Sequence, residues 1–118
     1  MSAEVPQVTP AAAAKRVADG TAVLVDVREP VEWQESGVAA PAALLSKSDF
    51  DAGLSGEWKS FLKEEGAKEI ILYCRSGKRS GVVGSALAAQ GYKVANAGGF
   101  KEWEAAGLPT RPFDAKKP

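Results

Sequence analysis

The chain has no histidine and only one cysteine, Cys74, among its 118 residues. The lack of histidine excludes a Cys–His catalytic pair, a histidine general base and nearly all of the common zinc sites. The single cysteine excludes an internal disulfide and a CxxC redox pair. If Cys74 is reactive, backbone dipoles and nearby cations must therefore activate it.

The chain also lacks an excess of charge of either sign and a long apolar run. Its 15 Lys and Arg residues balance its 15 Asp and Glu residues, which gives no reason to expect nucleic acid or a membrane as a partner. No apolar run approaches the roughly 20 residues that span a bilayer. Residues 1–6 (MSAEVP) contain neither the basic nor the apolar region of a signal peptide. We expect a cytoplasmic monomer, or a periplasmic or organellar one if a leader has been removed.

Length and composition predict one globular domain. A chain of 118 residues has the size of a single domain and can bury roughly two-thirds of its unfolded surface. Hydrophobic residues make up 45% of the chain and charged residues 25%, which is ordinary for such a domain. We expect a flexible lead-in at residues 1–6, one domain at residues 7–112 and a flexible tail at residues 113–118.

Short apolar runs typical of buried strands alternate with segments typical of helices. The predicted helices cover residues 11–18, 29–36, 57–65, 80–90 and 100–106, and the predicted strands cover residues 22–27, 42–45, 69–74 and 92–97. Thr9 is the predicted N-terminal cap of the first helix. In the fourth helix we expect the sheet to be faced by Val82, Val83, Ala86 and Leu87. This alternation implies right-handed crossovers and an α/β fold, in which helices cover both faces of a mostly parallel sheet. In such sheets, ligands bind at the carboxyl ends of the strands.

Cys74 stands at the carboxyl end of a predicted strand and begins a loop rich in cations. The loop continues as Arg75, Ser76, Gly77, Lys78, Arg79 and Ser80. Backbone N–H groups at a turn between a strand and a helix, together with the helix dipole, lower the pKa of a thiol and hold an anion beside it. We therefore predict Cys74 as the catalytic residue and residues 75–80 as the substrate-binding residues.

Each of these residues also has a purely structural interpretation. A lone cysteine at a strand end is often a small buried hydrophobe, but an inert thiol needs neither three nearby cations nor the turn that Gly77 permits. For Asp26 and Arg28 we favour a structural ion pair near the site over substrate contact, with Glu32 as a partner of Arg28. Packing in the core or at its rim is favoured over ligand binding for the tryptophans, Trp33, Trp58 and Trp103.

Four segments of the chain resemble the rhodanese domain, and the single-domain thiosulfate sulfurtransferases in particular. The resemblance runs from about Gln7 to Pro112, and its combination of segments, in this order and spacing, is specific. The segments are residues 24–29 (LVDVRE) with Glu32 and Trp33, residues 73–80 (YCRSGKRS), residues 94–100 (VANAGGF), and Trp103 with residues 107–109 (GLP).

The resemblance implies a three-layer fold with a central sheet of about five strands. It also implies that the Cys74 thiolate attacks the outer sulfur of thiosulfate, expels sulfite, and passes the sulfur of its persulfide to cyanide or to an external thiol or protein acceptor. On this basis we expect no cofactor and no metal. One segment departs from the family, because residues 38–42 read VAAPA where the family usually has His-Ile-Pro-Gly-Ala.

Two rival functions come from different classes. Cysteine phosphatases and arsenate reductases share a related fold, but phosphatase loops have the pattern Cys-x5-Arg, in which the arginine grips phosphate. Here that position is Ser80, and Arg79 comes one residue early. The other rival is a non-catalytic rhodanese-like module for binding, sulfur carriage or regulation. Such modules commonly lose the cysteine, which this chain retains.

Overall fold

The computed structural model of the protein describes residues 5–53 and 56–113. The remaining parts of the predicted lead-in and tail, residues 1–4 and 114–118, lie outside this range. The described helices are α1 (Pro10–Ala18), α2 (Pro30–Ser36), α3 (Lys47–Asp51), α4 (Gly56–Glu65), α5 (Lys78–Ala89) and α6 (Phe100–Ala105). The described strands are β1 (Ala22–Asp26), β2 (Val38–Ala39), β3 (Ala43–Leu44), β4 (Glu69–Cys74), β5 (Val94–Gly99) and β6 (Thr110–Arg111).

The main sheet has four parallel strands in the order β3-β1-β4-β5, and the predicted α/β fold is thus confirmed. Where about five strands were expected, the outer edge of β5 carries, among the described residues, a single parallel bridge between Gln7 and Asn96. Backbone hydrogen bonds of 2.8 and 3.0 Å join Asn96 to Pro6 and Val8 at this bridge. A separate antiparallel pair, β2 and β6, forms a second small sheet.

The strand β4 is the centre of the domain. All six of its residues are buried, because strands flank it on both sides and helices cover both faces of the sheet. Ile71 and Tyr73 belong to one hydrophobic cluster, which includes residues of α1 and α6. Leu72 and Cys74 belong to the other, which includes residues of α4 and α5. Cys74 is therefore anchored in the buried core of the domain.

Sequence patterns placed most helices and strands correctly, and the N-terminal cap of α1 is the predicted one. Thr9 Oγ1 accepts a hydrogen bond from Ala12 N at 3.1 Å, and Pro10 is the first helical residue. The prediction that Val82 faces the sheet was wrong, because its side chain is 53% exposed. In α5 the buried face instead carries Val83 and Leu87, one helical turn apart.

The packing of the aromatic residues agrees with the structural interpretation of the tryptophans. Trp58 and Trp103 are 0% and 2% exposed. Trp58 Nε1 donates to Ser46 O at 2.9 Å, and its ring contacts Phe50 edge-on at 5.1 Å. Trp33 is also buried. Among the helices described, none is both long enough and apolar enough to cross a bilayer.

The close packing around Gly99, at the end of β5, can be tested by adding a Cβ atom there. A Cβ at Gly99 would overlap the carbonyl oxygen of Arg75, although the φ angle of Gly99, −114°, suits any residue. We expect Gly99→Ala to lower the free energy of unfolding by about 1–3 kcal/mol. Gly56→Ala is the matched control, because a Cβ there meets nothing within 4 Å. Denaturant unfolding measures the free energy of unfolding of both variants. Equal values for Gly99→Ala and Gly56→Ala would contradict the close approach of Gly99 to Arg75 O.

Candidate active site

Cys74 is the last residue of β4, and its sulfur faces the start of α5. Cys74 is 0% exposed. Its Sγ accepts a hydrogen bond from Gly77 N at 3.0 Å and lies 3.4 Å from the hydroxyl oxygen of Ser80. The thiol thus sits inside the loop that follows it, with N–H and O–H donors directed at the sulfur.

Gly77 gives the loop its shape. Its φ of 94° lies in the left-handed region, which glycine adopts without strain. A Cβ at this position would also lie only 3.3 Å from Gly98 Cα. Gly77 caps α5, so the helix begins at Lys78, two residues before the predicted start. The turn brings the N–H of Gly77 back onto a sulfur three residues earlier in the chain.

The pKa of the Cys74 thiol is set by two opposing effects. Burial is the largest single effect and raises the pKa, because it disfavours the thiolate. Hydrogen bonds from the Ser80 hydroxyl and from the N–H groups of Ser80, Ser76 and Gly77 lower it. Together the hydrogen bonds outweigh burial, and the pKa of Cys74 lies below the ordinary value of 9.0. The loop itself is therefore the main activator of the thiol.

The predicted cations of the loop fall into two groups. Arg75 and Lys78 are exposed, and neither forms an ion pair with another described residue. Arg79 instead makes a two-point ion pair with Glu32, at 2.5 and 2.8 Å. Arg79 thus joins the loop to α2, and the two exposed cations are those available to an approaching anion.

The Arg79 ion pair corrects the prediction that Glu32 is a partner of Arg28. Arg28 pairs with Asp26, only two residues away, and its Nε and Nη2 reach the carboxylate at 3.1 and 2.8 Å. This pair is buried, as predicted for a structural role. Arg28 also donates to Ser36 Oγ and to Gly37 O, both at 2.8 Å. The pair therefore fixes the end of α2 beside the end of β1.

Glu32 is strongly acidic because of its position. The hydrogen bonds from Arg79 lower its pKa from 4.5 to about 2, and burial only partly opposes them. A hydrogen bond from Glu29 N, 3.1 Å long, lowers the pKa further. Glu32 is consequently ionised at any physiological pH, and the tie between α2 and the loop stays intact.

Asn96 of β5 is a polar residue of this site that was not predicted from the sequence. It is 3% exposed. Its Oδ1 accepts from Ser80 Oγ at 2.8 Å and from Gly98 N at 3.0 Å, and its Nδ2 donates to Gly77 O at 2.8 Å. The available signal was an asparagine inside an otherwise apolar strand, since buried polar side chains are retained where they are hydrogen-bonded.

An open pocket of about 230 Å³ lies beside Arg75. It is lined by residues of both charges together with a serine and an aromatic ring: Arg28, Glu32, Glu35, Ser36, Arg75, Phe100, Lys101 and Glu104. Within residues 5–53 and 56–113, no group of three or more Cys, Asp or Glu side chains is placed to hold a metal ion. The chemistry available at the site is that of a thiolate next to hydrogen-bond donors and cations.

The chain belongs to the rhodanese-like domain family, whose sequence pattern matches residues 9–106. A relative in Saccharomyces cerevisiae named thiosulfate:glutathione sulfurtransferase is 35% identical over 92 residues, which cover 72% of this chain. A Schizosaccharomyces pombe relative is also 35% identical over 92 residues. The chain spans only 66% and 65% of the lengths of these two relatives.

Solved structures with the same fold carry different descriptions. The human single-domain sulfurtransferase TSTD1 is 26% identical, with a TM-score of 0.66, and the match covers 86% of this chain and 96% of the human one. A Rhodopseudomonas palustris protein, described as of unknown function and a possible tyrosine phosphatase, is 27% identical with a TM-score of 0.76. That match covers 91% of this chain and 85% of the other.

The ion pair of Glu32 predicts a pH dependence of stability. Because the folded pKa of Glu32 lies below its ordinary 4.5, the pair stabilises the protein fully above that pH and is lost as the pH falls towards 2. We expect Glu32→Gln to remove about 1–2 kcal/mol at pH 7, after allowance for partial exposure, and progressively less at lower pH.

The measurement is denaturant unfolding of wild type and variant between neutral and acidic pH. Glu35→Gln is the matched control, because Glu35 lies on the same helix and forms no ion pair with a described residue. A difference between wild type and Glu32→Gln that does not shrink with falling pH would contradict the assignment.

The hydrogen bonds to Cys74 predict the pH dependence of its alkylation. The rate with iodoacetamide should rise with pH, with a midpoint below the ordinary 9.0, because only the thiolate reacts. Ser80→Ala should move this midpoint upward, since it removes one donor to the sulfur. Ser60→Ala, on the exposed side of α4, should leave it in place. A wild-type midpoint at or above 9.0 would show that the loop does not activate the thiol.

Proposed function

We propose that this protein is a sulfurtransferase that carries sulfane sulfur as a persulfide on Cys74. The observation that carries the proposal is the geometry of the Cys74 sulfur, which accepts from Gly77 N at 3.0 Å and lies 3.4 Å from the Ser80 hydroxyl. The lowered pKa of the thiol supports it. Membership of the rhodanese-like family and the name of the S. cerevisiae relative support the same reaction class.

The donor step is a displacement at sulfur. The Cys74 thiolate attacks the outer sulfur of thiosulfate, a new S–S bond forms, and the old S–S bond breaks with its electron pair leaving on sulfite. Sulfite is a good leaving group, so the step needs no general acid, and the lack of histidine is no obstacle. The enzyme is left as an anionic persulfide, whose charge the loop N–H groups stabilise.

The acceptor step returns Cys74 to its thiolate. Cyanide or a thiolate attacks the terminal sulfur of the persulfide, and the electron pair of the broken S–S bond returns to the Cys74 sulfur. Because the chain has one cysteine, it contains no resolving thiol, and the acceptor must come from outside. The donor and the acceptor therefore bind in turn to the same site, in a ping-pong scheme.

The exposed loop cations suit the donor. Thiosulfate carries two negative charges, and Arg75 and Lys78 stand exposed on either side of Gly77. We infer that these two residues attract the donor, whereas Arg79 holds the loop in place through Glu32. The charge of Arg79 also acts on the nearby Cys74, so it favours the thiolate without leaving its ion pair.

The arrangement disfavours the two rival functions. A phosphatase needs an arginine free to grip phosphate, but Arg79 is committed to Glu32 and Ser80 takes the expected position of the arginine. A non-catalytic module has no use for hydrogen bonds that lower the pKa of its thiol. Assays of thiocyanate formation and of aryl phosphate hydrolysis distinguish both rival functions from sulfur transfer.

We propose a small zwitterionic thiol, such as glutathione, as an acceptor. The relative in S. cerevisiae is named for glutathione, and the pocket beside Arg75 presents charges of both signs. Four of its charged residues form no ion pair within the described ranges: Glu35, Arg75, Lys101 and Glu104. Acidic side chains suit an ammonium group and basic ones suit carboxylates, and glutathione carries both.

The proposed activity predicts thiocyanate formation from thiosulfate and cyanide. Wild type should turn over, and Cys74→Ser, with its fold checked by thermal unfolding, should lose the activity entirely. A parallel assay with an aryl phosphate should show no hydrolysis by wild type. Turnover that survives in Cys74→Ser, or aryl phosphate hydrolysis that depends on Cys74, would contradict the proposal. No activity in a folded wild type with this or any other sulfane donor would favour a binding module.

The acceptor pocket predicts a selective effect on glutathione. Lys101→Gln and Glu104→Gln should each raise the KM for glutathione about twofold to fivefold, the range of an exposed charge pair. The KM for cyanide should not change, because cyanide has neither an ammonium nor a carboxylate group. Lys93→Gln, which is exposed before the amino end of β5, controls for loss of charge. Equal effects on the KM values of both acceptors would show that this pocket does not bind glutathione.

A further inference from the structure

We propose that Asn96 is a positioning residue for the Cys74 thiolate, because it holds the Gly77 peptide against the sulfur and, while the thiol is protonated, the Ser80 hydroxyl beside it. Asn96 has no hydrogen bond to the sulfur and acts through these two neighbours. The inference rests on the proposed function, because it takes Cys74 as the reacting nucleophile. It adds a residue on a different strand to the loop that activates the thiol.

Two backbone groups settle which way the Asn96 amide points. Gly98 N can only donate a hydrogen bond, so the atom 3.0 Å from it must be Oδ1. Gly77 O can only accept, so the atom 2.8 Å from it must be Nδ2. The side-chain oxygen therefore faces Ser80 Oγ at 2.8 Å, and Ser80 must be the donor in that bond.

The Ser80 hydroxyl consequently has one proton and two acceptors. It lies 2.8 Å from Asn96 Oδ1 and 3.4 Å from Cys74 Sγ. While Cys74 is protonated, Ser80 donates to Asn96, and its oxygen can accept from the thiol. When Cys74 ionises, the hydroxyl can rotate to donate to the sulfur, and Oδ1 keeps the Gly98 N–H as its partner. The rotation replaces the neutral Ser80–Asn96 hydrogen bond with a charge-assisted one to the thiolate, because no proton then lies between the two oxygens.

The second arm of Asn96 acts on the Gly77 peptide. Gly77 O accepts from Asn96 Nδ2 at 2.8 Å and from Gly81 N at 3.0 Å, which uses both of its lone pairs. With the carbonyl held from two sides, the left-handed turn at Gly77 keeps its N–H directed at the Cys74 sulfur, 3.0 Å away. Asn96 therefore supports the loop donor in both states of the thiol, and the Ser80 hydroxyl only while the thiol is protonated.

That support is itself rigid. The backbone of Asn96 is paired with Pro6 and Val8 on one side and lies opposite Leu72 of β4 on the other. An apolar residue of similar size at this position would leave Gly77 O without one of its donors and Gly98 N without its acceptor. The asparagine thus makes hydrogen bonds to Gly77 and Gly98 that an apolar residue of the same size could not make.

Asn96 is neutral, so its substitution leaves every charge around Cys74 in place. The ionisable groups of the surrounding elements include Arg75, Lys78 and Arg79 of the loop and α5, Asp26 and Arg28 at the end of β1, Glu29, Glu32 and Glu35 at α2, Lys47, Asp49 and Asp51 of α3, and Lys101, Glu102 and Glu104 of α6. A change in the titration of Cys74 on substitution of Asn96 therefore reports the hydrogen bonds and not a change of net charge.

The test is a pH titration of the ultraviolet absorbance of the thiolate, which needs no reagent to reach the buried sulfur. The chain has one cysteine, so Cys74→Ser supplies the blank. We expect Asn96→Ala to raise the midpoint by about 0.5–1 pH unit, because the loss of support for the Gly77 N–H outweighs the release of the Ser80 proton from Asn96. The thiolate fraction at neutral pH then falls roughly threefold to tenfold. The kcat/KM for thiosulfate at neutral pH should fall by a similar factor and recover as the pH rises.

Tyr73→Phe is the matched control. It removes a different buried polar group, the hydroxyl that accepts from Ala39 N at 3.0 Å on the opposite face of the sheet. It should lower stability without moving the midpoint. If folded Asn96→Ala keeps the wild-type midpoint, or if Tyr73→Phe shifts the midpoint equally, the inference is overturned.

A measurement on the unsubstituted protein covers the case in which Asn96→Ala does not fold. The side-chain amide of Asn96 should show NMR shifts that titrate with the midpoint of the thiolate absorbance, and this titration should vanish in Cys74→Ser. An amide signal that stays constant through the midpoint overturns the inference. Neither titration needs a sulfur donor, so a failure of sulfur transfer would refute the proposed function and leave these results readable.

Discussion

The parallel pairing of β4 between β1 and β5 is the constraint on which the rest of the structure depends. Asp26 lies opposite Tyr73, and Cys74 lies opposite Gly99, where the register shifts at a bulge. Three strand ends therefore meet at one edge of the sheet. The buried ion pair of Asp26, the thiol of Cys74 and the start of α6 share that edge because the strands are parallel and in this register.

The lowered pKa of the buried thiol follows from a balance of two opposing contributions. Burial alone would keep Cys74 protonated. A hydrogen bond to a charged acceptor contributes about 1.5–3 kcal/mol, and one pKa unit corresponds to about 1.4 kcal/mol, so two or three such bonds can outweigh moderate desolvation. Two supports hold the donors in place. Asn96 braces the loop from β5, and Glu32 braces it from α2 through Arg79.

The sequence contained enough information for the element order, the parallel sheet and the position of Cys74 at the end of a strand. Apolar runs, capping residues and glycines are local signals, and they located β4, the cap of α1 at Thr9 and the turn at Gly77. The partners of charged residues could not be predicted in this way. Arg79 and Glu32 are 47 positions apart, and only the packing of α2 against the loop decides that they pair.

Asn96 is a second residue whose partners could not be predicted from local sequence signals. Its place inside an apolar strand is typical of a buried, hydrogen-bonded side chain. Its partners, Gly77 and Ser80, lie 16 to 19 positions earlier in the chain, and local patterns do not identify them. Val82 was misplaced for a simpler reason. The apolar positions of α5 were assigned to one face, whereas the structure buries only those one turn apart, such as Val83 and Leu87, and leaves Val82 in solvent.

The most direct test of the central claim is the intact mass of the protein after incubation with thiosulfate and removal of the excess donor. If Cys74 carries the persulfide, wild type gains the mass of one sulfur atom, cyanide removes that mass, and Cys74→Ser gains none. A gain that persists in Cys74→Ser, or an enzyme that forms thiocyanate without ever gaining sulfur, would contradict a persulfide on Cys74.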